Sequence, residues 1–74
     1  RLLSIPTQHT KLLYVLEELA RSFEWGRLYS EQEVNTLLKQ FHDDAATLRR
    51  HLIDEQIMMR ERGRYWLVRP REEE

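Results

Sequence analysis

The chain has 74 residues, a formal net charge of −1, 41% hydrophobic and 34% charged residues, and no cysteine. A chain of this length has few apolar residues to spare for a deep substrate pocket, which argues against an enzyme. The lack of cysteine excludes disulfides and thiolate metal sites. The longest apolar run, at 12–16, is too short to span a membrane.

The charge is divided unevenly along the chain. Residues 1–44 carry five Lys/Arg and seven Asp/Glu, whereas residues 45–71 carry seven arginines against three acidic residues. The last three residues are glutamates. Every positive charge in the second half is an arginine, which favours contact with a polyanion. The acidic end of the chain opposes such contact.

We expect a single domain over residues 1–74, with an ordered core at about 6–69 and an acidic tail at 70–74. No secretory signal is visible, and the first residue is an arginine. We therefore expect a fragment of a longer cytoplasmic protein, with the other domains of that protein among its partners and no association with a membrane.

Apolar residues from 12 to 23 recur at helical spacing and predict an amphipathic first helix over about 10–22. Thr7 or Thr10 is expected to cap its start. Trp25-Gly26 is expected to end it, because glycine accepts the left-handed conformation that closes many helices. The segment between this glycine and Ser30 has room only for a turn or a short strand.

Ser30 is followed three residues later by Glu33, which is the spacing of a capping box. In this motif each side chain accepts a hydrogen bond from the backbone amide of the other residue. The pattern predicts that a second helix starts after Ser30, and its apolar residues continue through Phe41.

A third helix is predicted from Ala45 to about Asp54, capped by Asp43 or Asp44. Only two or three residues separate it from the predicted end of the second helix. Two helices joined by so short a turn must cross at an angle, as in a helix-turn-helix.

The segments at 57–61 and 65–68 are rich in apolar and aromatic residues and predict two strands around Arg62-Gly63. Glycine in a two-residue connection suits a tight hairpin, although a three-residue loop would exchange the inward and outward side chains. The predicted fold is therefore α+β: a small winged helix-turn-helix with three helices, a short strand between the first two, and a C-terminal β-hairpin wing.

Three blocks of this sequence resemble a bacterial domain family of unknown function, whose members occur in proteins labelled transcriptional regulators. The resemblance covers residues 5–68 or so and implies a regulator context without a known activity. The chain departs from the pattern at His51, where glutamate is expected, and at Met58-Met59, where leucine-like residues are expected. The matching blocks are YSEQEVN at 29–35, FHDDAATLRR at 41–50 and LID at 52–54.

The third helix is the predicted reader of DNA, because in a helix-turn-helix the exposed side of the second helix enters the major groove. We expect Arg50 to contact a base edge, Thr47 to contact a phosphate or a thymine methyl group, and His51 to contact DNA from the flank of the helix. The alternative for Arg50 is a solvated ion pair with Asp54. Arg49 lies beside the core, so we expect it to bond to helix ends or carboxylates.

Three arginines surround the predicted wing turn: Arg60, Arg62 and Arg64. Wing arginines can contact phosphates or the minor groove, so all three are predicted DNA contacts. The alternative is that they protect an exposed strand from pairing with another chain.

The other chemically distinctive residues point to packing rather than to a site. Aromatic side chains dominate the stability of a chain this small, and one of Met58 and Met59 should face the core. No pair of histidines has the spacing of helical metal ligands, so we expect neither a metal nor a cofactor. The histidines are His9, His42 and His51, and the aromatic residues expected to pack are Trp25, Tyr29, Phe41, Tyr65 and Trp66.

Two functions are compatible with this sequence. The first is a transcriptional-regulator domain that contacts DNA through its third helix and its wing. The second is a winged helix used for protein contact or homodimerisation, with DNA binding located in another domain. The arginine-rich second half favours DNA, and the near-neutral total charge favours a protein partner.

Overall fold

The computed structural model describes residues 3–68. The predicted tail at 70–74 and the arginines at 69 and 71 lie outside the described residues. Three helices and one three-stranded antiparallel sheet make up this part of the chain, which confirms the predicted α+β class and is consistent with a winged helix. The elements are α1 (His9–Ala20), β1 (Tyr29–Ser30), α2 (Glu31–Leu38), α3 (Ala45–Asp54), β2 (Met58–Glu61) and β3 (Arg64–Leu67).

The sheet has the strand order β1-β3-β2, and β2 and β3 form the predicted hairpin. Glu61 lies opposite Arg64, so the connection is a two-residue turn. Its residues have φ of 53° and 79°, as a type I′ turn requires. This register directs Met58 inward and Met59 outward, which confirms that only one of the two methionines faces the core.

The core lies between the inner face of the sheet and the three helices. Its fully buried side chains come from every helix and from the hairpin, and the two faces of the sheet differ sharply in burial. Burying one leucine contributes roughly 1.5–3 kcal/mol, so the loss of any one of these side chains would remove a large share of the small net stability of such a domain. The largest fully buried side chains are Leu16, Leu19, Val34, Leu38, Leu48, Leu52, Met58 and Tyr65.

Helix α1 differs from its prediction at both ends. It ends at Ala20 rather than at Trp25-Gly26, because the next three amides bond to carbonyls three residues back and tighten the chain into turns. The positive φ of Gly26 (84°) belongs to a later turn in which the Arg27 amide bonds to the Glu24 carbonyl. At the start, Gln8 occupies the N-cap position without a side-chain bond, so neither predicted threonine caps α1.

Helix α2 starts as predicted and stops earlier. The Ser30 hydroxyl accepts a hydrogen bond from the Glu33 amide (3.0 Å), and a Glu33 carboxylate oxygen accepts one from the Ser30 amide (2.8 Å), which confirms the capping box. The helix ends at Leu38, and Phe41 packs against the core from a turn. The connection to α3 therefore spans residues 39–44 and is longer than predicted.

Helix α3 has the predicted bounds and ends in a Schellman motif that the sequence pattern did not reveal. The Gln56 amide bonds to the Ile53 carbonyl and the Ile57 amide to the Leu52 carbonyl, both at 2.9 Å. Gln56 is held at φ 60°, the left-handed conformation that usually requires glycine. This cap turns the chain directly from α3 into β2 and so places the hairpin beside the helix.

None of the helices between residues 3 and 68 is both long and apolar enough to cross a bilayer.

Candidate nucleic-acid interface

Helix α3 buries one side and exposes the other. Its buried residues are Ala45, Leu48 and Leu52, whose helical spacing puts them on one side of α3. Arg50 and Asp54 are both exposed. Among the ion pairs within residues 3–68, none joins these two side chains, so the predicted alternative of an Arg50–Asp54 pair is not formed. The Arg50 guanidinium is therefore not held by that carboxylate.

The start of α3 is organised by Asp44, which is one of its two predicted caps. Its carboxylate accepts hydrogen bonds from the Thr47 amide (3.2 Å) and from the Thr47 hydroxyl (2.8 Å). The bond from the Thr47 hydroxyl, and to a smaller extent the bond from its amide, hold the pKa of Asp44 below its usual value. The predicted contact residue Thr47 thus already donates its hydroxyl proton within the protein.

Thr47 and His51 lie beside a different depression from Arg50. They line a concave region of about 540 Å³ together with the N-terminal segment at 4–7 and His42. The Nδ1 atom of His42 accepts a hydrogen bond from the Asp44 amide (3.0 Å). The structure therefore separates two of the predicted contacts on α3 from the third.

Arg50 and Arg60 come together between α3 and the hairpin. They line, with Arg49, Asp54 and Tyr65, a concave region of about 370 Å³ that we call the α3–β2 depression. Arg60 and Tyr65 are direct partners across β2 and β3, and the Arg60 guanidinium donates to the Tyr65 hydroxyl at 3.4 Å. This contact raises the pKa of Arg60 above its ordinary value. Tyr65 itself is buried, so it anchors Arg60 from the core.

Arg49 connects α3 to α2. Its guanidinium donates to the Asn35 side-chain oxygen and lies 3.6 Å from a Glu31 carboxylate oxygen. Its side chain is only 18% exposed. These contacts agree with the predicted bonding of Arg49 to a carboxylate, and Arg49 also lines the α3–β2 depression.

The three predicted wing arginines occupy three different environments. Arg60 lies on the helix-facing side of the hairpin, as its cross-strand partner Tyr65 does. Arg62 is exposed in the turn itself, at φ 53°. Arg64 precedes Tyr65 on β3, so its side chain points to the opposite face of the sheet. Its cross-strand partner on β2 is Glu61. Of the three, Arg60 is the one that lines the α3–β2 depression.

The outer face of the sheet carries exposed apolar side chains. Trp25, Leu28 and Met59 are 55%, 58% and 49% exposed, and Trp66 is half-buried. Met59 and Trp66 are cross-strand partners, and Trp66 lines a groove with Trp25 and Leu28. We call these four residues the outer-face patch. The prediction that Trp25 packs in the core is wrong, because α1 ends at Ala20 and the turns that follow it leave this side chain exposed.

The histidines and acidic residues do not assemble into a ligand cluster within the described residues. His9 lies 3.1 Å from Glu55 and His42 bonds to the Asp44 amide, so two of the histidines have local partners. Between residues 3 and 68, no three His, Cys, Asp or Glu side chains are grouped so that they could hold a metal ion.

Sequence reasoning missed two members of the α3–β2 depression as contributors to a site. Tyr65 was expected only to pack, and Arg49 only to serve a structural role. The signal that could have found Tyr65 is its register with Arg60, but that register depends on the length of the turn. Arg49 gives no comparable signal, because its position depends on how α2 crosses α3.

The chain belongs to DUF2087, a family of uncharacterized proteins conserved in bacteria. The family model matches residues 1–67. No curated protein and no solved structure gives a significant match to the chain.

Proposed function

We propose that this domain binds double-stranded DNA as part of a transcriptional regulator, with α3 in the major groove and the β2–β3 hairpin on the backbone. The observation that carries this proposal is the meeting of Arg50 and Arg60 in the α3–β2 depression. One surface thereby combines a guanidinium from the helix with a guanidinium from the wing. Arginine binds both guanine edges and phosphates in a bidentate way, so this combination suits DNA.

Arg50 is the residue we assign to a base edge. It is exposed on the side of α3 that faces away from the core, and Asp54 does not hold it. Thr47 donates its hydroxyl to Asp44, which leaves its methyl group for contact with thymine rather than its hydroxyl for a phosphate. His51 remains a flanking contact.

Arg62 supports the proposal through an unfavourable backbone conformation. The first position of a type I′ turn favours Asn, Asp or Gly, because other side chains are strained at positive φ. An arginine held there at φ 53° costs stability. A charged side chain kept at the exposed tip of the hairpin despite this cost is consistent with a role in phosphate contact.

The test is a titration of the 74-residue chain with duplex DNA at about 50 mM salt, followed by a salt series. Arg50→Ala should weaken binding to a preferred site by about 1–3 kcal/mol and relax the preference at one base pair. Deleting Glu72–Glu74 should tighten binding, chiefly at low salt, where charges are weakly screened. Arg21→Gln is the control, because it removes one exposed charge at the C-cap of α1, and Arg21 does not line the α3–β2 depression.

Arg62→Asn separates a functional arginine from an ordinary turn residue. Asparagine suits the type I′ position, so thermal unfolding should show a gain of about 1 kcal/mol. Loss of the guanidinium should at the same time weaken all duplexes alike and reduce the salt dependence by about one unit. No binding to duplex DNA at low salt would refute the proposal, as would an Arg50→Ala variant indistinguishable from Arg21→Gln.

The outer-face patch favours a second function, contact with another protein or with a second copy of the chain. Its exposed Trp25, Leu28 and Met59 lie on the sheet face opposite α3. Monomeric proteins rarely expose several large apolar side chains together. Sedimentation of wild type and of Met59→Glu tests this function, since a dimer formed through the patch would dissociate in the variant.

A further inference from the structure

Two of the arginines that line the α3–β2 depression are held in position by hydrogen bonds to other side chains. Arg60 is anchored by the buried Tyr65 hydroxyl, and Arg49 by Asn35 on α2. Each guanidinium has five N–H donors, so the bond of Arg60 to Tyr65 and the two contacts of Arg49, with Asn35 and Glu31, still leave donors for a ligand. A guanidinium that is already positioned loses less conformational entropy when it binds. The depression is therefore better organised for an anion than an exposed arginine on a mobile side chain.

We infer that the α3–β2 depression is a binding site for a phosphate group, formed by Arg60 and Arg49 with Tyr65 as the positioning residue. The phosphate could belong to the backbone of a nucleic acid or to a free anion, since both present the same oxygens. The geometry suits either one, because arginine recognises phosphate through parallel N–H donors. Where the phosphate belongs to a DNA backbone, this inference rests on the proposed function and names its backbone contact; where the phosphate is a free anion, it does not depend on that function.

The charges around the depression determine how strongly it attracts an anion. Arg49, Arg50 and Arg60 contribute three positive charges, and Asp54 in the wall contributes one negative charge. Glu31 is already engaged by Arg49, and its charge also reaches Arg60. The balance remains positive, but Asp54 opposes an anion directly. Removing its charge should therefore tighten binding.

The first experiment titrates the 74-residue chain with inorganic pyrophosphate at low salt and follows backbone and arginine side-chain NMR signals. Shifts should concentrate in α3 and β2. Arg60→Gln should weaken binding about tenfold, since a charge-assisted bond is lost. Asp54→Asn should tighten it severalfold, and Arg21→Gln should leave it unchanged apart from the general loss of one charge.

Tyr65→Phe tests the positioning role, because it keeps the ring in the core and removes only the hydroxyl that Arg60 contacts. We expect a roughly threefold loss of pyrophosphate affinity in the wild-type background and no further loss in the Arg60→Gln background. An equal loss in both backgrounds would mean that the hydroxyl acts on folding alone, which overturns its role in the site.

A second arm uses duplex DNA and distinguishes the two sources of phosphate. If a backbone phosphate occupies the site, Arg60→Gln reduces the slope of log affinity against log salt by about one unit and leaves base preference unchanged. Pyrophosphate binding without any duplex binding would support the site and refute the proposed DNA function. Duplex binding that is insensitive to Arg60→Gln, with no pyrophosphate shifts in α3 and β2, would overturn the site and leave the DNA function standing.

Discussion

Replacing Ser30 by alanine removes the side-chain half of the capping box that starts α2. The Ser30 hydroxyl accepts the Glu33 amide at 3.0 Å, and the variant leaves that amide without its protein partner. The reciprocal bond from the Ser30 amide to the Glu33 carboxylate (2.8 Å) uses only the backbone of residue 30, so it persists. The substitution therefore removes one bond of the two and leaves the helix register unchanged.

The size of the effect follows from the exposure of this bond. Loss of an N-cap costs about 0.5–2 kcal/mol in proteins. Both bonds of this box are exposed, so water can replace the lost acceptor, and the cost should lie near the middle of that range, at about 1 kcal/mol. For a domain of this size, that corresponds to a fall of about 4–8 °C in the melting temperature.

The assay is urea denaturation followed by circular dichroism, with Thr36→Ala as the matched control on the same helix. The Thr36 hydroxyl donates to the Gln32 carbonyl at 2.9 Å, a back-bond that stabilises α2 little. Its replacement by alanine should be neutral or slightly stabilising. The reasoning fails if Ser30→Ala unfolds at the same urea concentration as wild type, or if both variants lose the same stability.

Three further predictions concern local conformation and charge. Because its pKa is lowered in the folded state, Asp44 contributes stability that is present above its unfolded pKa and lost as the pH falls through its folded pKa. The difference in melting temperature between wild type and Asp44→Asn should thus vanish on acidification below pH 3.8, and a constant difference would contradict the assignment. Gln56→Gly should stabilise the fold by about 0.5–1 kcal/mol in urea denaturation, since glycine relieves the strain at φ 60°. Gly63→Ala should destabilise it by about 1 kcal/mol through its φ of 79° alone, because no atom lies within 4 Å of the added methyl group; an unchanged midpoint would argue against the type I′ turn.

Local pattern was sufficient where the interactions span three or four residues. Ser30 and Glu33 contact each other within one helical turn, and the apolar spacing of α3 directs Leu48 and Leu52 to the same side wherever that helix lies. The bounds of α3 and the start of α2 could therefore be predicted from the residues alone. The class of fold followed from the order of such segments.

Tertiary structure decided which charges and aromatic rings share a surface. The two-residue turn placed Arg60 beside α3 and Arg64 on the opposite face, a difference that one extra turn residue would have reversed. The early end of α1 carried Trp25 out of the core. The guanidinium of Arg49 is held by Asn35 and Glu31 only because α2 crosses α3 beside it. Each of these outcomes depends on contacts between distant parts of the chain, and helical periodicity or residue type carries no information about how such segments meet.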